Sequence, residues 1–159
     1  MLRNFRVHII FEANLTPMYQ ALLYTHSYIR YAVLILLVVV IITSLAGWLG
    51  KKNYTGTDNK LNLFLFISTH LQLLLGLILY IVSPNVKFGE TTMKDSVTRY
   101  WTVEHIFIML IAVVLITLAR TTSKKLPAAA AKHKRVFIFN LIAFLLILVG
   151  IQMSGRGFF

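Results

Sequence analysis

His26, Arg30, His70, Gln72, Glu104 and His105 stand inside stretches that are otherwise apolar. A charged side chain at the centre of a bilayer costs about 3 kcal/mol or more, so each such residue is a default candidate for function. Histidine is a good ligand for haem iron, and the cores of helix bundles are natural cofactor sites. Histidine and glutamate also exchange protons, and the three histidines form a rough staircase with steps of about 10 Å that water would have to bridge. His26 and Arg30 are four apart and share a helix face. Glu104 and His105 are adjacent and point about 100° apart on a helix, and His70 and Gln72 also face different ways.

Much chemistry is excluded by composition. The chain has no cysteine, which removes disulfides, thiolate metal sites, iron–sulfur clusters and dithiol redox chemistry. It has no Walker-type phosphate loop and no hydrolase nucleophile motif. A zinc site needs three or four clustered ligands, and these histidines are spread along the chain. No catalytic residue is expected, and an electron carrier or a subunit is a better expectation than a stand-alone enzyme.

The elements that position these residues follow from hydropathy. Of 159 residues, 58% are hydrophobic and 13% are charged. Soluble domains carry about 25% charged residues, so an ordinary soluble domain is excluded. Four apolar stretches are each long enough to span a bilayer as a helix, at about 24–50, 61–83, 100–119 and 136–153. Strand-like alternation is absent, which argues against a barrel. The expected fold is an all-α integral membrane four-helix bundle, up-and-down because the connections are short. One membrane domain covers 18–159. Lys51 to Lys60 reads as a turn-rich polar loop. Pro84 to Thr98 reads as a longer loop broken by Pro84 and Gly89. Ala128–Ala131, after Pro127, is expected to start a helical extension into the fourth span. Gly47 and Gly76 would allow close helix approach.

Residues 1–17 form an N-terminal extension. They lack a clear cleavable signal, and they read as an interfacial helix, as a disordered segment, or as a misassigned start ahead of Met18. Asn14-Leu15-Thr16 matches a glycosylation acceptor, a pattern too short to carry weight.

The net charge of +11 fits basic loops against anionic lipid headgroups, with no nucleic acid partner. Lys51, Lys52, Lys60, Arg120, Lys124, Lys125, Lys132, Lys134 and Arg135 surround loops one and three. They outnumber Arg3, Arg6, Lys87, Lys94, Arg99 and Arg156 on the other side. The positive-inside rule then puts loops one and three in the cytoplasm and both termini outside. His133, within this basic run, is expected to be solvated or lipid-facing.

Counting about 1.5 Å per residue from cytoplasmic ends near Trp48, Leu61 and Arg120 gives depths. Arg30 and Glu104 come out level, at about 27 and 24 Å, which predicts an ion pair between spans one and three. The alternative is that Arg30 snorkels to the headgroups while Glu104 meets water at a helix start. His26, His105 and His70 come out at about 33, 22 and 13 Å. No two therefore meet at one level in straight, untilted helices. His70 stands equally well as a ligand or as a hydrogen-bonded core histidine.

The chain resembles a bacterial family of short four-span membrane proteins labelled cytochrome b or cytochrome b-like. The resemblance covers about residues 18–159. It rests on His26-Ser27-Tyr28-Ile29-Arg30, Gly47-Trp48-Leu49-Gly50-Lys51-Lys52, Asp58-Asn59-Lys60, His70-Leu71-Gln72, Val103-Glu104-His105, Lys132-His133-Lys134 and Gly155-Arg156-Gly157-Phe158-Phe159. It implies a haem b electron carrier of the bacterial inner membrane, with His26, His70, His105 and His133 at the family's histidine positions. On that reading His26, His70 and His105 are the iron-ligand candidates. Arg30, Arg99 and Arg156 are candidates for pairing with haem propionates. Electrons would pass to or from quinone or a respiratory-complex partner, because no nicotinamide or flavin motif is present. Two other functions compete. One is a cofactor-free accessory subunit or assembly factor of a larger membrane complex. The other is a small dimeric transporter, which is disfavoured because the only intramembrane acid is Glu104, in span three.

Overall fold

A computed structural model describes residues 2–155, with side chains from Pro17 onward. Arg156 and the side chains of residues 2–16, Arg3 and Arg6 among them, therefore lie outside the described residues. Among the described residues the elements are α1 (Leu2–Leu49), α2 (Gly56–Val82), α3 (Ser96–Arg99), a π-helical turn (Tyr100–Glu104), α4 (His105–Ser123) and α5 (Ala129–Met153). The α3–π–α4 run is continuous, so four helical runs are long and apolar enough to cross a membrane. α2 and α5 have 27 and 25 residues, about 40 and 37 Å at 1.5 Å per residue, against a hydrocarbon core of about 30 Å.

Each helix packs against its neighbours in a closed ring, α1–α2–α4–α5 and back to α1. This is the expected up-and-down bundle. The buried positions repeat every three and four residues, which keeps one stripe of each helix on the common axis. In α1 they are Val33, Leu37, Val40, Ser44 and Gly47; in α5 they are His133, Val136, Asn140, Ala143, Ile147 and Gly150, with Ile151 beside the last. The opposite faces expose Ile35, Ile42, Phe64, Leu74, Ile81, Phe107, Val114 and Leu145. Apolar side chains both inside and outside are what a lipid-embedded bundle needs, and this is a multi-pass membrane protein in contact with lipid.

Four boundaries differ from the sequence expectation. α1 is already helical from Leu2, not Tyr24, so the N-terminal extension runs into the first span as one helix. α2 begins at Gly56, not Leu61. Thr55 and Asp58 form a capping box that satisfies the first orphan N–H groups, so the helix starts inside the polar loop. The third run begins at Ser96, not Tyr100, because the Asp95 carboxylate accepts from the Thr98 amide at 2.8 Å and caps it. α4 continues past Arg120 to Ser123. The alanine run does start α5 early, at Ala129.

The basic end is more tightly built than its charge suggested. His133 is 1% exposed, not solvated or lipid-facing. Its ring covers Gly47, where a Cβ would lie 2.4 Å from His133 Cε1. The Tyr54 ring packs on it with centroids 4.9 Å apart. His133 lies on the buried stripe of α5, while its basic neighbour Lys134 turns outward over Trp48. Arg120 is also buried and donates to the Asn59 carbonyl. Burial pushes the Tyr54 hydroxyl's pKa up.

These contacts reset the depths. Measured upward from the Gly47–His133 contact, His26 stands about 32 Å along α1 and Gly150 about 26 Å along α5. Gly150 is hydrogen-bonded to Tyr100, and Tyr100 to His105. The two histidines thus come within about 6 Å in level, a gap that side chains can span.

Candidate functional site

The third span is not a plain α-helix where its chemistry begins. From Tyr100 to Glu104 it winds as a π-helix. In an α-helix, residues five apart point about 140° from each other. In a π-turn the backbone bonds run i→i+5, and residues five apart come onto one side. Two side-chain pairs have this spacing. Arg99 Nε donates to Glu104 Oε1 at 2.6 Å. The Tyr100 hydroxyl meets His105 Nδ1 at 3.1 Å.

The first pair overturns the expected Arg30–Glu104 bridge. Glu104 is held within its own span by Arg99, and Arg30 instead donates to the Tyr31 hydroxyl at 3.1 Å. The depth argument assumed an α-helical third span, in which Arg99 points away from Glu104.

The loop before the span holds the π-turn in place. The Lys87 amide donates to Thr102 Oγ1 at 3.1 Å, and Thr92 Oγ1 donates to the Lys87 carbonyl at 2.8 Å. The Tyr80 hydroxyl of α2 donates to the Thr102 carbonyl at 2.8 Å. Thr102 itself is buried, so both loop two and α2 grip the turn.

Below this turn α2 and α4 meet less closely than the other neighbours, and a cavity of about 470 Å³ opens among the four spans. Its volume lies within the usual range for cofactor and ligand sites, about 300–1,000 Å³. Most of the wall is apolar, with Val33, Leu34, Met109, Val113 and Ile147 among its residues. The polar wall is made by His26, Arg30, Thr69 and Gln72 from α1 and α2, and by Tyr100 and His105 from the third span. A smaller neighbouring cavity of about 60 Å³ also has His26 and His105 on its walls, with Tyr19, Tyr80, Ser83 and Asn85.

His26 is fixed at the α1–α2 contact. Its carbonyl accepts from Gln72 Nε2 at 2.8 Å. Its ring lies against Gly76, where a Cβ would stand 3.1 Å from Cε1. Four buried side-chain atoms on the cavity wall have no hydrogen-bond partner among the described residues: His26 Nδ1, Arg30 Nε, Thr69 Oγ1 and Gln72 Oε1. A buried polar atom without a partner costs about 1–3 kcal/mol, so this wall suits a polar or charged group from a ligand or water.

The structure therefore brings His26 and His105 to one cavity, with Arg30 beside them. It does not bring His70 there. His70 Nδ1 contacts the Phe66 carbonyl at 2.8 Å, one turn back on its own helix, and Nε2 lies 3.5 Å from Thr117 Oγ1. Among the described residues, no group of three or more His, Cys, Asp or Glu side chains is placed to hold a metal ion. Sequence reasoning missed Thr69 and Tyr100. Thr69 was open to discovery, since it lies three residues before Gln72 on the same helix face. Tyr100 was not, because no sequence signal marked the π-turn.

The donor set fits a bis-histidine haem. Two imidazoles from different spans share one largely apolar cavity, and a guanidinium on the same wall would meet a carboxylate. No protein-family model, curated protein or solved structure matches this chain.

Proposed function

We propose that this chain is a b-type cytochrome-like electron-transfer protein of the bacterial inner membrane. Haem b would be held in the cavity by His26 of α1 and His105 of the third span. The observation that carries this reading is the shared cavity itself: two histidines from separate spans on one largely apolar wall. The resemblance to the four-span cytochrome b-like family points the same way.

Each residue has a physical task. His26, pinned through its carbonyl to Gln72 and through its ring to Gly76, presents an imidazole whose orientation is limited by packing. His105 is oriented by Tyr100. Arg30 offers a cation to a propionate, and Arg156 is proposed for the same role at the outer end. Val33, Met109 and Ile147 supply apolar wall that would keep the dielectric around a bound haem low. When bound, haem supplies one-electron chemistry. Loops one and three face the cytoplasm, the termini face outward, and quinone or a respiratory complex exchanges electrons with the site.

The test is a reduced-minus-oxidised visible spectrum of detergent-purified protein, with haem per chain by pyridine haemochrome. A sharp α-band with near-stoichiometric haem is expected from the wild type. Its absence from well-folded protein grown with haem supplied would defeat the proposal in favour of a cofactor-free accessory subunit.

A further inference from the structure

We propose that Thr69, Gln72 and Arg30 form a hydroxyl-binding subsite at the inner end of the cavity, the end towards the basic loops. It takes the O–H of a water molecule or of a small alcohol or phenol. The subsite is set apart from the histidines. The cavity walls run from Leu23 to Leu34 on α1, from Thr69 to Tyr80 on α2 and from His105 to Ile116 on α4, about 16 Å along each helix. His26 lies against Gly76 near the outer end. Gln72 and Thr69 follow one and two turns further in on α2, about 6 and 10 Å from Gly76. Arg30 lies one turn further in than His26 on α1.

Thr69 departs from the habit of its kind. A threonine inside a helix can donate its hydroxyl to the carbonyl four residues back, and in lipid it has few other choices. Thr25, Thr43, Thr117, Thr121 and Thr122 all make this bond, at 2.6–2.9 Å. Thr69 does not. The residue is 4% exposed, and its Oγ1 is buried on the cavity wall without a partner.

Gln72 and Arg30 point to a ligand independently. Gln72 Nε2 lies 2.8 Å from the His26 carbonyl. A carbonyl oxygen only accepts, so this contact fixes which end of the amide is nitrogen. Gln72 Oε1 is thus an unpartnered buried acceptor. Arg30 Nη2 is engaged by the Tyr31 hydroxyl, while its Nε, which can only donate, is buried and unpartnered.

Together these atoms define the ligand. The wall offers one fixed donor, one fixed acceptor and one hydroxyl that serves as either. A carboxylate or carbonyl oxygen would satisfy Arg30 but has no hydrogen for Gln72. An ammonium has hydrogens for Gln72 but no lone pair for Arg30, and it is repelled by the guanidinium. A hydroxyl oxygen meets both needs at one atom and can bond Thr69 as well. A buried water typically makes about three such bonds. Val113 and Ile116 of α4, on the same cavity, suit the carbon body of an alcohol or phenol. The subsite uses Arg30 through Nε alone and does not depend on haem at the histidine level.

The experiment uses the full chain, methyl-labelled at threonine and methionine, in detergent micelles without added haem. Water is read from nuclear Overhauser cross-peaks between water protons and methyl groups. Phenol and its methyl ether, anisole, are titrated as probes, with binding read at the Met109 methyl. The Thr69 signal is identified by its loss in Thr69→Val. A water cross-peak is expected at Thr69 and not at Thr43, whose hydroxyl is spent on the Val39 and Val40 carbonyls. Phenol should bind about 5-fold more tightly than anisole, which has no hydrogen to donate. Thr69→Ser should keep that preference and Thr69→Val should lose most of it.

A water cross-peak without a preference for phenol supports the subsite with water as its occupant. A preference for phenol that depends on the Thr69 hydroxyl, without a water cross-peak, supports a ligand's hydroxyl instead. Neither signal overturns the subsite, and so does a preference for phenol that Thr69→Val leaves unchanged. The haem spectrum is measured separately, so the cytochrome reading stands or falls on its own.

Discussion

Two histidines in this bundle lie against glycines, and the two ends of the molecule use them differently. At the basic end, His133 fills the space over Gly47 and is closed in by Tyr54, with three of its ring atoms within 2.6 Å of where a Cβ would be. At the other end, His26 lies against Gly76 with more room, 3.1 Å at the nearest atom, and its ring borders a cavity of about 470 Å³. A glycine lets a helix approach a bulky ring in both places. What differs is the far side of the ring. His133 is a packing piece between α1 and α5, whereas His26 faces space that a ligand can fill.

The sharpest test of this contrast is haem content. His105→Ala and His26→Ala are expected to lose nearly all haem while keeping the helical fold, because each removes one proposed ligand from a wall that already borders empty space. His133→Ala should do the reverse. Removing a fully buried ring leaves a cavity, and the expected cost is about 2–4 kcal/mol, read as a lower unfolding midpoint in detergent with haem per chain unchanged. If His133→Ala lost haem as completely as His105→Ala, the two ends would not be functionally distinct.

The glycines give a finer comparison. Ala is favoured over Gly in a helix by about 1 kcal/mol, while overpacking a tight core costs about 1–3 kcal/mol. Gly76→Ala asks His26 to move a few tenths of an ångström toward open space, so the two effects should nearly cancel. At Gly47 the ring of His133 has nowhere to go, and a net loss of about 1–2 kcal/mol is expected. Equal effects of the two substitutions on thermal stability would break the contrast.

The smallest expected effect lies at the entry to the third span. The exposed Asp95 carboxylate is held below its ordinary value by hydrogen bonds from Thr98. A depressed folded-state value means that the cap is in place above the ordinary carboxylate pKa, about 3.9, and is lost as pH falls through the lower folded value. The Thr98 amide shift should therefore titrate below the normal carboxylate range, and in Asp95→Asn that titration should vanish. Haem content should not follow it.

Much of the bundle was legible because lipid imposes a blunt rule: the backbone must satisfy itself, and long apolar runs must be helices. The same rule picked out His26, Arg30 and His105 as polar residues inside spans. It could not rank them. His70 looked as good a ligand as the others until its ring was found against its own helix and Thr117. His133 was misjudged because a basic run reads as surface. Its spacing to Val136, Asn140, Ala143 and Ile147 places it on the buried stripe, and that heptad-like pattern was the available signal.

What the sequence alone determined is the number of spans, their order and the short connections that make neighbours antiparallel, since these follow from hydropathy and length. What only the tertiary structure decided is which side chains meet. The winding of the Tyr100–Glu104 turn depends on loop two, Tyr80 and Gly150 holding it from three directions. That winding rotates Glu104 toward Arg99 and His105 toward Tyr100, contacts that a regular α-helix with the same residues would not make. A local pattern cannot encode this, because the energy that selects the π-turn comes from partners far away in the chain.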